Sequence, residues 1–171
     1  MNPVGGVKQV DYLSGIIGLE TGRIQARAPS IVLPPDITIR VLHPLDVLES
    51  RLRNLDSLPE KRNPVGVAQA RLAIEVVRAF VCEMIDTGRE LREVFKAVER
   101  IAQIALDTKL VGVAIEYKID PLDAVPVSRI DSREFQVKRW PQIESTVAEL
   151  KRKRMKLNAD RATSRKTHSA K

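Results

Sequence analysis

Hydrophobic and polar residues alternate near the start of the chain and recur at helical spacing over most of the remainder. Alternation with a period of two is typical of half-buried strands, and it predicts short strands over residues 7–17, 24–33 and 37–42. Between the last two strands, the run from Pro34 to Asp36 predicts a turn. We therefore expect residues 1–43 to form a segment of three short strands.

Apolar residues three and four positions apart predict a helical subdomain over residues 44–150. Pro44 suits the first turn of a helix, and Asp46 favours the positive end of the helix dipole. Residues 109–119 fit either a helix, which we favour, or a short strand. The pattern thus predicts an α+β protein whose strands precede about four helices. Apart from that ambiguous stretch, the predicted helices span residues 44–58, 66–86, 91–105 and 141–157.

Charge changes this picture at the C-terminal end of the chain. The 171 residues carry a formal net charge of +7, but residues 151–171 alone contain nine basic residues and one acidic residue, Asp160, which gives +8. The rest holds 20 basic and 21 acidic residues and is nearly neutral. Because no apolar period continues past Leu157, we expect residues 151–171 to form a basic, disordered tail.

This tail is compatible with two functions. Its lysines and arginines could neutralise phosphates of RNA or DNA, or they could only keep a disordered end in solution. No aromatic residue lies among them, so base stacking is not indicated and nucleic-acid contact would be nonspecific.

Several classes of protein are disfavoured by composition. The single cysteine, Cys82, excludes a disulfide within one chain and fits a reducing, cytoplasmic setting. No run approaches the roughly 18 apolar residues of a membrane span, and early glycines and a proline interrupt the apolar segment that a signal peptide needs. The two histidines, His43 and His168, have no Ser or Cys partner that would indicate a hydrolytic triad.

The segment from Ile39 to Arg71 combines an apolar strand, the His43-Pro44 pair, an amphipathic helix and the basic pair Lys61-Arg62. This order resembles the strand-to-helix junction in the C-terminal half of AbiEii-like minimal nucleotidyltransferase-fold proteins, which are related to the polymerase-beta superfamily. The resemblance covers roughly residues 7–145 and implies that residues 1–43 are part of a nucleotidyltransferase sheet. A complete relative would use Mg²⁺ to transfer a nucleotidyl group from a nucleoside triphosphate, and some relatives are toxins of toxin–antitoxin pairs.

The resemblance also implies roles for particular residues. Asp11 looks like the third strand carboxylate of the family, a catalytic residue and metal ligand; the alternative is an ordinary strand aspartate. Arg51, with Asn54 three residues later, would face the phosphates of the nucleotide, or its stem would cover apolar surface. Lys61 and Arg62 would contact phosphates or a nucleic-acid backbone, or they are solvated loop charges.

The catalytic motif of the family is incomplete in this sequence. No Gly-Ser followed by Asp-x-Asp precedes Asp11, so two metal ions could not be held by this chain alone. We therefore expect an incomplete nucleotidyltransferase-like protein that is inactive alone, either truncated or completed by a protein partner. The alternative is a noncatalytic nucleic-acid-binding module that uses residues 151–171.

Two other pairs of charged residues have structural interpretations. Asp120 and Asp123 are expected to shape a turn or cap a short helix. Glu49 and Arg53 have the spacing of an ion pair on one helix, which stabilises a helix by about 0.2–0.5 kcal/mol.

Overall fold

The computed structural model describes Ile16 and residues 18–168, with side chains described as far as Arg161. The strand predicted over residues 7–17 lies outside the described residues except for Ile16, which forms an isolated bridge with Leu19. The first helix, α1, follows at Thr21–Arg27, and an antiparallel hairpin of β1 (Ser30–Leu33) and β2 (Ile37–Arg40) comes next. The predicted α+β class is confirmed.

The hairpin confirms the turn at Pro34 to Asp36 but corrects the strand that precedes it. Residues 24–27 are helical, so the predicted strand over residues 24–33 is wrong in its first half. The cause is a tertiary contact: Arg27 forms an ion pair with the distant residue Asp46, and Ile24 is buried. Alternation alone cannot reveal such a contact, and Gln, Ala and Arg are all good helix formers.

Helices build the rest of the described chain. The first two predicted helices are confirmed as α2 (Pro44–Ser57) and α3 (Pro64–Asp86), and the third as α4 (Leu91–Leu106). The ambiguous stretch is helical, as favoured, and forms α5 (Thr108–Tyr117). Short 3₁₀ turns at Pro59–Lys61, Pro121–Ala124 and Val127–Arg129 and a π-helical turn at Phe135–Arg139 connect these helices and lead to α6 (Trp140–His168).

The core lies where α2 packs against α3, α4 and α5. Four leucines of α2 at helical spacing are all buried: Leu45, Leu48, Leu52 and Leu55. Val77 and Val81 of α3 and Val98 and Ile101 of α4 are buried as well. Side chains at the helix ends fix where these helices begin. His43 Nδ1 accepts the N–H of Leu45 at 3.2 Å, and Asn63 Oδ1 accepts the N–H of Gly66 at 2.9 Å, so each caps the start of a helix.

Helix α6 is longer than the sequence pattern predicts. It continues to His168 instead of ending near Leu157, so the predicted end of this helix is wrong. Residues after Leu157 have no apolar face to pack against the core, but their intrinsic preference for helix remains. Lys, Arg, Met, Leu and Ala all have high helix propensity. None of the helices among the described residues combines the length and apolar character needed to span a bilayer.

Candidate functional site

The structure describes only some of the site residues that the family resemblance implies. Asp11 lies outside the described residues, so its proposed catalytic and metal-binding role stays a prediction. Arg51 and Asn54 lie on α2 and are both half-buried. Within the described part of the chain, neither side chain has a hydrogen-bond or ion-pair partner.

Arg62 and Lys61 differ in what they contact. The guanidinium of Arg62 donates to the carbonyl oxygen of Leu55 at 2.9 Å and to that of Asp56, so it satisfies two of the carbonyls that the end of α2 leaves unpaired. Lys61 is exposed and makes no ion pair with the residues that the structure describes. The loop therefore contains one cation used as a helix cap and one that faces solvent.

A cluster of buried charges, which we call the α2 charge cluster, lies where α2 faces α1 and α4. It consists of the carboxylates Asp46, Glu49 and Asp107 and the guanidinium groups of Arg27, Arg53 and Arg100. Asp46 and Glu49 are 0% and 4% exposed, which is rare for acidic residues unless they are paired.

Glu49 is the centre of this cluster. Its Oε1 accepts from Arg53 Nε at 3.0 Å and from the terminal nitrogen of the same guanidinium at 2.8 Å, and its Oε2 accepts from Arg100. Arg53 also reaches Asp107 at 3.1 Å. Burial acts to lower the pKa of Arg53, but the hydrogen bonds and charges of Glu49 and Asp107 outweigh it, so the pKa is raised.

Sequence reasoning identified only one pair of this cluster. The Glu49–Arg53 pair forms as predicted, but it is largely buried and has additional partners, so the stabilisation expected for an exposed pair on one helix does not apply to it. Arg27 and Arg100 were missed because they lie 19 and 51 residues from their partners. The one available signal was an acidic residue, Glu49, directly beside the buried leucine Leu48.

Asp120 caps a short helix, as predicted, since its Oδ1 accepts the N–H of Leu122 at 3.1 Å at the start of the 3₁₀ turn. It also pairs with Lys151 of α6. The pKa of Asp123 is raised, first by burial and then by the charge of Asp120.

In the described ranges, no group of three or more His, Cys, Asp or Glu side chains could hold a metal ion.

The second half of α6 leaves the helical body. Lys151 pairs with Asp120, Lys153 pairs with Glu149 at 2.7 Å, and Arg154 lies half-buried over Gly112 of α5. After Arg154, residues 155–161 are all exposed. Seven consecutive residues cover almost two helical turns, so every face of α6 is open to solvent there.

Three cations of this part of α6 remain open to a ligand. Arg152, Lys156 and Arg161 are exposed and form no ion pair with any side chain that the structure describes. The two that lie four residues apart, Arg152 and Lys156, share one face of the helix. Arg165 and Lys166 add two further positive charges to the same helix in the sequence.

Comparisons with protein-family models, with curated proteins and with solved structures give no match for this chain, so it is assigned to no family.

Proposed function

We propose that this protein is a noncatalytic module that binds RNA or DNA through the basic segment, which we define as residues 151–168 of α6. The observation that carries the proposal is the exposure of every residue from 155 to 161 in a helix that is rich in lysine and arginine. An ordinary surface helix has an apolar stripe that faces the core. Here the stripe ends while the helix continues, so all sides of residues 155–161 can approach a ligand.

Charge identifies phosphates as the ligand chemistry. The basic segment contains eight basic residues and one acidic residue, whereas the rest of the chain is nearly neutral. An α-helix fits the major groove of B-DNA, which is about 12 Å wide, and lysines or arginines at such a surface release the counterions condensed on the phosphates. Since the segment has no aromatic residue, contact with the backbone alone is expected, without base specificity.

The salt dependence of binding tests this proposal. We expect the affinity for a DNA duplex to fall with salt, and substitution of Arg152, Lys156 and Arg161 by Gln to reduce the slope of log Kobs against log[salt] by about 2.7 units, at about 0.9 per phosphate contact. A control triple variant removes three exposed charges elsewhere, Arg92→Gln, Lys109→Gln and Lys138→Gln, and should keep the wild-type slope. Equal slopes for the two variants would refute the proposal.

A second proposal is the incomplete nucleotidyltransferase-like protein implied by the family resemblance. Arg51 supports it, because a half-buried arginine without a polar partner among the described residues is free to bind a phosphate group. The hairpin supports the expected protein partner, since each of its strands has a neighbour on one side only within the described chain. Its aliphatic face, formed by Ile31, Leu33, Ile37 and Ile39, is 38–56% exposed.

Nucleotide binding tests this second proposal. It predicts Mg²⁺-dependent binding of a nucleoside triphosphate that Arg51→Ala weakens and that the control Arg92→Ala leaves unchanged. The absence of such binding in the unmodified protein would count against this second proposal.

For either function the proposed location is the cytoplasm, because the lone Cys82 needs no oxidising compartment.

A further inference from the structure

A cavity of about 420 Å³ lies between α1, the start of α2, the C-terminal part of α3, and α4. This volume falls within the roughly 300–1,000 Å³ range of small-molecule sites. Four cationic side chains line it: Arg23 and Arg27 from α1, and Lys96 and Arg100 from α4. None of them belongs to the basic segment, so the cavity is separate from the surface proposed to bind nucleic acid.

The other wall of the cavity is apolar. Leu45 and Ala97 are buried, and Phe80 and Met84 are partly buried beside them. His43 contacts the ring of Phe80 edge-on, with 4.9 Å between the ring centroids. Burial lowers the pKa of His43, the charge of Asp46 opposes that shift, and Arg27 adds to it, so the imidazole is neutral near pH 7. A ligand would therefore meet apolar and neutral groups on one side and cations on the other.

Two arginines of the cationic wall are held in place but incompletely paired. Arg27 and Arg100 each donate a terminal nitrogen to a buried carboxylate of the α2 charge cluster, Asp46 and Glu49 respectively. The Nε groups of the same two arginines are buried and have no acceptor among the residues that the structure describes. These Nε atoms have almost no accessible surface, so a ligand in the cavity would meet the exposed parts of the two side chains, which are 31% and 16% accessible, rather than Nε.

The charges around the cavity point to an anion. The pKa of Arg100 is lowered, first by burial, with Glu49 opposing the shift and the positive charges of Arg23 and Arg27 adding to it. The two glutamates of the lining are engaged elsewhere, because Glu99 pairs with Arg139 and Glu93 lies 3.8 Å from Arg89. Since Asp46 and Glu49 already neutralise Arg27 and Arg100, the charges that an anion would neutralise are those of Arg23 and Lys96, which form no ion pair with any residue that the structure describes.

We propose that this cavity binds a small phosphate monoester whose oxygens accept hydrogen bonds from Arg27 and Arg100 and whose apolar group lies against Phe80 and Met84. A phosphate monoester has three terminal oxygens, enough for the accessible terminal nitrogens of Arg27 and Arg100 and for the outer cations Arg23 and Lys96. The apolar wall accounts for the organic group that a free phosphate ion would lack.

Isothermal titration of the full chain tests the proposal with three probes: phenyl phosphate, inorganic phosphate and phenol. We expect phenyl phosphate to bind more tightly than inorganic phosphate and to be displaced by it, and we expect no binding of phenol. Phenol binding as tight as that of phenyl phosphate, or no binding of phenyl phosphate at millimolar concentration, would overturn the proposal.

Variants then locate the bound probe. Arg23 and Lys96 are exposed and lie outside the buried ion pairs, so Arg23→Gln with Lys96→Gln should leave the fold intact and weaken phenyl phosphate about tenfold through lost charge-assisted contacts. The control pair Arg92→Gln with Lys109→Gln removes two exposed charges that do not line the cavity, and it should bind like the unmodified protein.

A further control separates the cavity from the basic segment. The triple variant Arg152→Gln, Lys156→Gln, Arg161→Gln should retain full affinity for phenyl phosphate. If that variant loses phenyl phosphate while Arg23→Gln with Lys96→Gln does not, the probe binds α6 and the cavity proposal is wrong. A failure of the cavity proposal leaves the nucleic-acid proposal standing, because the two depend on different residues.

Discussion

Replacing Glu49 by Ala is the most direct perturbation of the α2 charge cluster. The carboxylate is 4% exposed, and both of its oxygens accept hydrogen bonds, two from Arg53 and one from Arg100. Arg53 would keep its contact with Asp107, 3.1 Å away. Arg100, whose side chain is only 16% exposed, would lose the one ion-pair partner it has among the described residues.

The expected loss of stability follows from Arg100, which would be left without an ion-pair partner. Breaking a buried ion pair by removal of one partner costs about 3–5 kcal/mol, because the remaining charge stays buried without compensation. We expect Glu49→Ala to lower the free energy of unfolding by about that amount. Adding Arg100→Met removes the uncompensated charge and fills its space with an apolar chain, so the double variant should be more stable than Glu49→Ala alone.

Urea unfolding followed by circular dichroism measures these differences. The matched control is Glu99→Ala, which breaks an ion pair with Arg139 in which both side chains are nearly half exposed, 48% and 46%. An exposed pair of that kind contributes about 0–1 kcal/mol. If Glu49→Ala costs no more than Glu99→Ala, or if Arg100→Met makes the Glu49→Ala protein still less stable, the reasoning about buried charge is refuted.

Three further predictions concern helix ends. A Cβ at Gly66 would overlap the carbonyl oxygen of Lys61, so Gly66→Ala should destabilise the protein although Gly-to-Ala changes in a helix normally stabilise, and a urea midpoint at or above that of the unmodified protein would contradict this. Arg62→Ala should cost about 1 kcal/mol through the lost helix cap, whereas Lys61→Ala should be nearly neutral in the same assay; equal losses would refute the cap. Because the folded pKa of His43 is lowered, its contribution to stability is present above the unfolded value of 6.5 and declines as the pH falls below it. Urea unfolding between pH 5 and pH 8 should therefore show a smaller pH slope for His43→Asn, and an unchanged slope would contradict this.

Helices α2 to α5 could be predicted because each has its own apolar period. The four leucines of α2 define an arc that is buried in the structure, and α3, α4 and α5 begin and end close to the predicted residues. Two boundaries were wrong for opposite reasons. At α1, the ion pair of Arg27 with Asp46 overrides an alternating pattern; in α6, helix propensity extends the helix after the pattern ends.

The candidate sites were harder to predict, because they depend on contacts between distant elements. Asp46 was interpreted as a residue that favours the start of a helix, and it does lie in the first turn of α2. Its complete burial against Arg27 could not be read from that position, because Arg27 belongs to an element that was predicted as a strand. The cavity could not be predicted for the same reason, since its cations come from two elements distant in sequence, α1 and α4.

Arginine has at least three different roles in this chain, and burial separates them where sequence cannot. Arg53 is held by two carboxylates, Arg62 caps a helix with its guanidinium, and Arg152 projects into solvent. Only the last kind contributes to a surface that attracts phosphates from a distance, because buried ion pairs are already neutralised. The net charge of +7 is therefore a property of α6 and the residues beyond it, and a prediction of nucleic-acid binding must rest on that helix rather than on the helical body.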